Sequence, residues 1–212
     1  MEKKKTGIDL ETVKSKISRR SGEWIDEHLI KKYSILIPLI QEKDGTLSVV
    51  FEKRAATIKQ AGDICFPGGK WEKDDESPWR TAKRETSEEL GIPEENITCV
   101  GQLGKLIHHD RSLIFPFVGW IESGNAFAPN ELEVDEVFAV PLQDLLAARL
   151  EYYNITFQAK PEEQFPFHLI ANGRNYSWRT GTSKTPFYFV GERVIWGLTA
   201  KILTHFLQLL RA

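Results

Sequence analysis

The run Arg84-Glu85-Thr86-Ser87-Glu88-Glu89-Leu90-Gly91-Ile92 sets three acids, Glu85, Glu88 and Glu89, at i, i+3 and i+4. On a helix they share one face, where their mutual repulsion opposes folding. A hard divalent cation reverses the sign of that cost, and Mg²⁺ takes carboxylate and phosphate oxygens together. These residues therefore suit metal-assisted chemistry on a phosphate ester or anhydride. A solvated acidic face is the plain alternative for the three acids alone. Arg84, Gly91 and the upstream glycines of Phe66-Pro67-Gly68-Gly69 stand in register with them and weigh against it.

The elements that must position this face follow from local signals. Ser77-Pro78 reads as N-cap and first helical position, and Gly91 with Pro93 as the stop, so a helix is expected up to Leu90. Pro67-Gly68-Gly69 is expected to be loop. Before it, Tyr33–Ile40 is a dense apolar run read as a buried strand. Asp44-Gly45 reads as a hairpin turn into Leu47–Lys53, and Ile64–Phe66 as a short strand. After the acidic helix, strands are expected at Thr98–Leu106, Ser112–Ile121 and Glu136–Val140, followed by a helix at Leu142–Arg149. Asn172-Gly173 predicts a hairpin between Phe167–Ala171 and Arg174–Trp178. A strand at Phe187–Val190 and a last helix from about Val194 to Leu210 complete the chain. That helix carries an apolar stripe of Ile195, Leu198, Ile202, Leu203, Phe206, Leu207 and Leu210. A first amphipathic helix, Ile8–Arg20, is capped by Asp9. Phe115-Pro116-Phe117 and Trp196 are expected in the core, and His108-His109-Asp110 in a polar loop. The segment Tyr152–Lys184 is an extra hairpin, a dimer contact or a substrate flap, which leaves a homodimer open.

The chain has 212 residues, 41% hydrophobic and 27% charged, with formal net charge -2, which fits a single domain with a sizeable core. No general basic field would attract nucleic acid, and no apolar run approaches the roughly 20 residues that span a bilayer. No nucleic-acid or membrane partner is expected. The two cysteines, Cys65 and Cys99, make neither a disulfide framework nor a zinc pattern. With no signal-peptide core at the N-terminus, a cytoplasmic setting is the expectation.

Gly69 through Ile92 resembles the Nudix box, G-x5-E-x7-R-E-U-x-E-E-x-G-U, with Arg84, Glu85, Glu88, Glu89, Gly91 and Ile92 in place. The acid at the box spacing before Arg84 is Glu76, which makes the gap back to Gly69 one residue longer. Glu76 is expected to pair with Arg84, with Asp75 as the alternative. Thr86 stands at the first apolar position. The stretch Phe51–Gly69 is similar to the added signature of the coenzyme A pyrophosphatases, with Arg54, Lys59, Gly62, Phe66, Pro67, Gly68 and Gly69 in register, Ala55 for the usual Ser and Lys59 for the usual Arg. Ser34–Leu39, Phe115–Gly119, Glu133–Leu142 and Ile195–Ala200 also resemble that subfamily.

The resemblance implies an α+β fold, an α/β/α sandwich with a mixed sheet between helices. It divides the chain into an N-terminal helical extension, residues 1–30, and a Nudix hydrolase domain, residues 31–212. It implies hydrolysis of the diphosphate of coenzyme A or its acyl or oxidised forms to 3′,5′-ADP and 4′-phosphopantetheine, with Mg²⁺ or Mn²⁺ as cofactor. Hydrolysis of another nucleoside diphosphate derivative, such as ADP-ribose, is the alternative, and a non-catalytic nucleotide sensor a more distant one. Glu85 and Glu89 are then the principal metal ligands, and Glu88 a third or water-mediated one. The catalytic set is Arg84, Glu85, Glu88, Glu89 and Glu136, with the base among Glu88, Glu133 and Glu136. Arg54, Lys59, Gly68 and Gly69 are the substrate-binding candidates.

Overall fold

The computed structural model describes residues 8–18, 24–122 and 126–211. Its elements in chain order are α1 (Leu10–Ile17), β1 (Lys31–Gln41), β2 (Leu47–Arg54), β3 (Ile64–Cys65), β4 (Gly68–Lys70), α2 (Pro78–Leu90), β5 (Ile97–Gln102), β6 (Leu106–Ile107), β7 (Ser112–Ile121), β8 (Val134–Pro141), α3 (Leu142–Ala147), β9 (Arg149–Phe157), β10 (Gly181–Val190), β11 (Arg193–Trp196) and α4 (Gly197–Arg211).

A mixed sheet runs β3-β2-β1-β7-β5, with β4 beside β1, β6 beside β7 and β8 beside β2. β1 and β7 are parallel from Lys31/Ser112 to Leu39/Trp120, and both are apolar over most of their length because both faces are covered. On one face, Ala82 and Leu90 of α2 pack with Leu36, Val50, Phe115 and Phe117. On the other, Ile202, Leu203, Phe206 and Leu207 of α4 pack with Ile37, Val49, Phe51 and Val118. Alternation along each strand sends Leu36 and Ile37, or Val50 and Phe51, to opposite layers. The α1 helix has its expected cap, with Asp9 Oδ1 accepting from Thr12 N at 2.8 Å, and buries none of its residues. Residues 19–20, the end of the predicted first helix, lie outside the described residues.

β1 and β2 pair only at Leu39–Gln41 and then diverge. The wedge between them is filled by two short strands. β4 pairs with β1 at Tyr33–Ile35, and β3 pairs with β2 at Glu52–Lys53. Gly68-Gly69 is therefore strand rather than the expected loop. Without side chains these glycines fit a sheet edge against which α2 lies, which propensity alone does not show.

Three other expectations are corrected. The residues around Asn172-Gly173 form two short 3₁₀ turns, Phe167–Leu169 and Gly173–Asn175, not a hairpin. Instead β9, β10 and β11 make a separate antiparallel sheet, so the hairpin within Tyr152–Lys184 joins β9 to β10. The last helix begins at Gly197, because Arg193–Trp196 is strand β11. In that strand Ile195 is buried and Trp196 is 39% exposed, stacked on Phe187 with ring centroids 5.5 Å apart. Trp196 is thus not a core residue, whereas Phe115 and Phe117 are.

Candidate active site

The α2 helix has the ends its sequence announces. Ser77 accepts from Arg80 N, Pro78 opens the helix, and Gly91 closes it in the left-handed region at φ 63°. Thr86 is fully buried beneath it and satisfies its hydroxyl by donating to Ala82 O at 2.7 Å. This is how a polar residue occupies the apolar position of the pattern. Glu85, Glu88 and Glu89 project from successive turns as their spacing requires, but into three different environments.

Glu89 is 8% exposed and accepts the Gly68 N–H at 2.8 Å, which ties helix to β4. Burial first, and then the neighbouring Glu52 carboxylate, push its pKa up to about 9. Glu85 lies directly over Gly69, where a Cβ would overlap its carboxylate. Burial raises the Glu85 pKa and Arg84 opposes the rise. Glu88 is exposed and accepts from Arg84 Nη1 at 3.1 Å. The backbone of β4 can approach these acids because it has no side chains to collide with them.

Arg84 is braced by Asp75, not by Glu76. Its Nε and Nη2 donate to Asp75 Oδ1 and Oδ2 at 3.2 and 3.1 Å, while Nη2 also reaches Glu85 Oε1 at 2.9 Å. Asp75 further accepts from Thr81 Oγ1 at 2.9 Å and Glu72 N at 3.0 Å, and Trp71 Nε1 donates to its carbonyl at 3.0 Å. The turn closed by these bonds buries Asp75 and leaves Glu76 exposed. Its hydrogen bonds from Arg84 hold the Asp75 carboxyl down at about 2.

Glu136 does not join the cluster. Both its oxygens are taken by Arg193, at 2.8 and 2.7 Å. The reason is register. Glu136 pairs with Lys53 and Val137 with Glu52 across β2 and β8, so Glu136 faces the layer of Phe51 and Phe138, away from α2. Glu133, in the turn before β8, is close enough to raise both Glu52 and Glu89, and accepts from Asn130 Nδ2 at 3.3 Å. Arg54 lies beside Glu52 and Cys65, opposing the rise of each, and its Nε donates to Lys59 O at 3.0 Å. Lys59 is exposed. His109 packs on Phe157, with ring centroids 4.3 Å apart.

Glu52 itself is the residue that motif reading misses. It is 1% exposed on β2, and its Oε1 accepts the Cys65 thiol at 3.2 Å. Its Oε2 is buried with no hydrogen-bond partner. Burial pushes its pKa up to about 7. The signal was in the strand: Glu52 must share a face with Val50, and Val50 packs under α2.

A divalent cation fits these residues. The donors are hard carboxylate oxygens, one buried oxygen is orphaned, and burial raises both Glu52 and Glu89, with the Glu133 charge adding to each and the Glu52 charge adding to Glu89. Among the described residues no three acids or other ligating side chains yet converge on a single ion position. Arg84 holds Glu85 and Glu88, and Gly68 holds Glu89.

The acid-bearing α2 helix, braced by Asp75 through Arg84, thus lies over the glycine strand β4 of a mixed sheet covered by helices. The family model described as the NUDIX domain matches residues 31–160, and the chain belongs to that family, hydrolases that act on pyrophosphate bonds and generally need divalent metal ions. It is 33% identical to the uncharacterized Nudix hydrolase NudL of Pectobacterium atrosepticum over 177 residues, 83% of this chain and 81% of that protein. It is 35% identical to the peroxisomal coenzyme A diphosphatase NUDT7 of Mus musculus over 157 residues, 72% of this chain and 66% of that protein. Among solved structures, a MutT/nudix family protein from Enterococcus faecalis superposes with TM-score 0.49 at 16% identity, covering 95% of this chain and 69% of that one. Among the described residues no helix is long and apolar enough to cross a membrane.

Proposed function

We propose that this chain hydrolyses the diphosphate of coenzyme A or a coenzyme A derivative, giving 3′,5′-ADP and a 4′-phosphopantetheine product. The observation that carries the reading is the seating of Glu85 and Glu89 against Gly68-Gly69, with Arg54 close to the same cluster. The upstream segment Arg54–Gly69, in register with the coenzyme A pyrophosphatase signature, and the similarity to the mouse coenzyme A diphosphatase support the choice of substrate.

Glu85 and Glu89, with Glu88 beside them, would hold Mg²⁺ or Mn²⁺. A bound divalent ion cancels diphosphate charge and lowers the pKa of a bound water. Arg84 keeps Glu85 and Glu88 on one side of α2, and Asp75 keeps Arg84 there. Arg54 and Lys59 face the anionic substrate as charges, Arg54 as the planar fork suited to a phosphate and Lys59 as a point charge. Glu133 is the favoured proton acceptor, because Glu136 is committed to Arg193 and Glu88 to Arg84.

Initial rates on coenzyme A, dephospho-coenzyme A and ADP-ribose, each with Mg²⁺ and with Mn²⁺, test this. We expect coenzyme A to be the best substrate by kcat/KM, with Arg54→Ala erasing its advantage over dephospho-coenzyme A. A preference for ADP-ribose, or equal rates on the two coenzymes, overturns the substrate assignment.

A further inference from the structure

Glu52 lies outside the box and outside the glycine signature, on the sheet side of the site. Three observations fix its direction. It is paired across strands with Val137 and Cys65. Its neighbours two residues away and across the strand, Val50 and Val137, pack in the layer of α2. Its carboxylate is close enough to Glu89 to raise the pKa of that acid. Glu52 therefore reaches from β2 toward the acids that α2 presents from above.

The side chain is 1% exposed and half satisfied. Oε1 accepts a hydrogen bond from the Cys65 thiol at 3.2 Å, and Oε2 has no partner. A buried polar atom without a partner is rare and destabilising. Protonation does not repair this, since the hydroxyl so formed would itself need an acceptor. Arg54 is the nearby cation, but it spends its Nε on Lys59 O and makes no hydrogen bond to Oε2. A cation between Glu52 and Glu89 removes both defects, the orphaned oxygen and the repulsion between two interior acids.

We infer that Glu52 is a metal-binding carboxylate of this site, holding from the sheet the ion that Glu85 and Glu89 hold from the helix. This rests on the metal-dependent reading above. It deepens that reading by setting an acid on the sheet, on β2, opposite the acids of α2. With a ligand on the strand, the ion would lock α2 to β2, and metal binding would stiffen the whole wedge.

The test needs no substrate. Mn²⁺ affinity is measured by electron paramagnetic resonance of the free ion for the parent, Glu52→Gln, Glu52→Asp and Glu89→Gln, beside metal-free melting temperatures. Glu52→Gln should weaken Mn²⁺ binding at least about tenfold, the loss typical when a residue supporting a metal is removed. Its metal-free melting temperature should be no lower than the parent's, because a buried charge has gone. Glu52→Asp, shorter by one methylene, should also bind more weakly, and decides the matter if the Gln variant does not fold.

Parent-like Mn²⁺ affinity in either variant, with Glu89→Gln weakened, overturns the inference and leaves the site reading intact. Parent-like affinity in Glu89→Gln as well, or no Mn²⁺ binding by the parent, overturns both. Collapse of both Glu52 variants in metal-free buffer would make Glu52 a structural residue and overturn the inference alone.

Discussion

Replacing Asp75 by Asn should unbrace the acid-bearing helix α2, whereas replacing Glu76 by Gln should not. Asp75 takes two bonds from the Arg84 guanidinium, one from Thr81 and one from the Glu72 amide, and is 9% exposed. Asn can keep the Thr81 and Glu72 donors but offers Arg84 no charge, and its amide N–H faces another donor. The magnitude follows from linkage. A carboxyl held at about 2 instead of 3.8 contributes about 2 kcal/mol. For a chain of this size that is a fall in melting temperature of about 4–8 °C at pH 7. The sign with pH is fixed, because the folded pKa is depressed. The contribution is present above the unfolded value of 3.8 and is lost as pH falls through about 2. The Asn variant should lack that segment of the stability profile. Arg84, left with Glu85 and Glu88, should bind Glu85 more tightly and slow hydrolysis beyond what unfolding explains. Thermal melting from pH 7 to pH 2 and initial rates on folded protein read both effects. If Glu76→Gln destabilises more than Asp75→Asn, or Asp75→Asn melts with the parent at pH 7, the brace is misassigned.

Two other perturbations probe the walls of the site. Gly69→Ala places a methyl where the Glu85 carboxylate lies; displacement of that group should cost about 100-fold in kcat with little change in melting temperature, and unchanged kcat would mean that Glu85 is not used. Arg193→Ala frees Glu136, a half-exposed acid on the opposite layer. It should cost no more than about 1 kcal/mol and leave hydrolysis within about twofold of the parent; a large fall in kcat would return Glu136 to the catalytic set.

The pattern of success in the sequence has a physical reason. The α2 helix was legible because its signals are local: Ser77-Pro78 at the start, Gly91 at the end, and acids whose common face depends only on helix periodicity. The brace was legible only as a choice of two, because the spacing that favours Glu76 ignores the turn at Trp71–Asp75. That turn turns Asp75 inward by hydrogen bonds no spacing rule contains. The second sheet stayed hidden for the opposite reason. Tyr152, Tyr153 and Ile155 of β9 are all exposed, so the alternation that marks a half-buried strand is missing. Asn172 and Gly173 do take the left-handed conformations their types favour, at φ 65° and 53°. Their flanks, however, pack into an aromatic cluster of Phe165, Phe167, Tyr176 and Trp178 instead of pairing as strands.

Glu52 is the deeper case. Its chemistry depends on which layer it faces, and that depends on the pairing of β2 with β3 and β8, a contact between segments far apart in sequence. Moving the strand by one residue would put Phe51 under α2 and Glu52 among the aromatic side chains of the other layer. The helix therefore announces its acids in isolation, while the strand acquires its acid only when the sheet has formed. A site with ligands on both would complete its metal shell only after the wedge closes, so that binding of the ion reports the assembled fold rather than the helix alone.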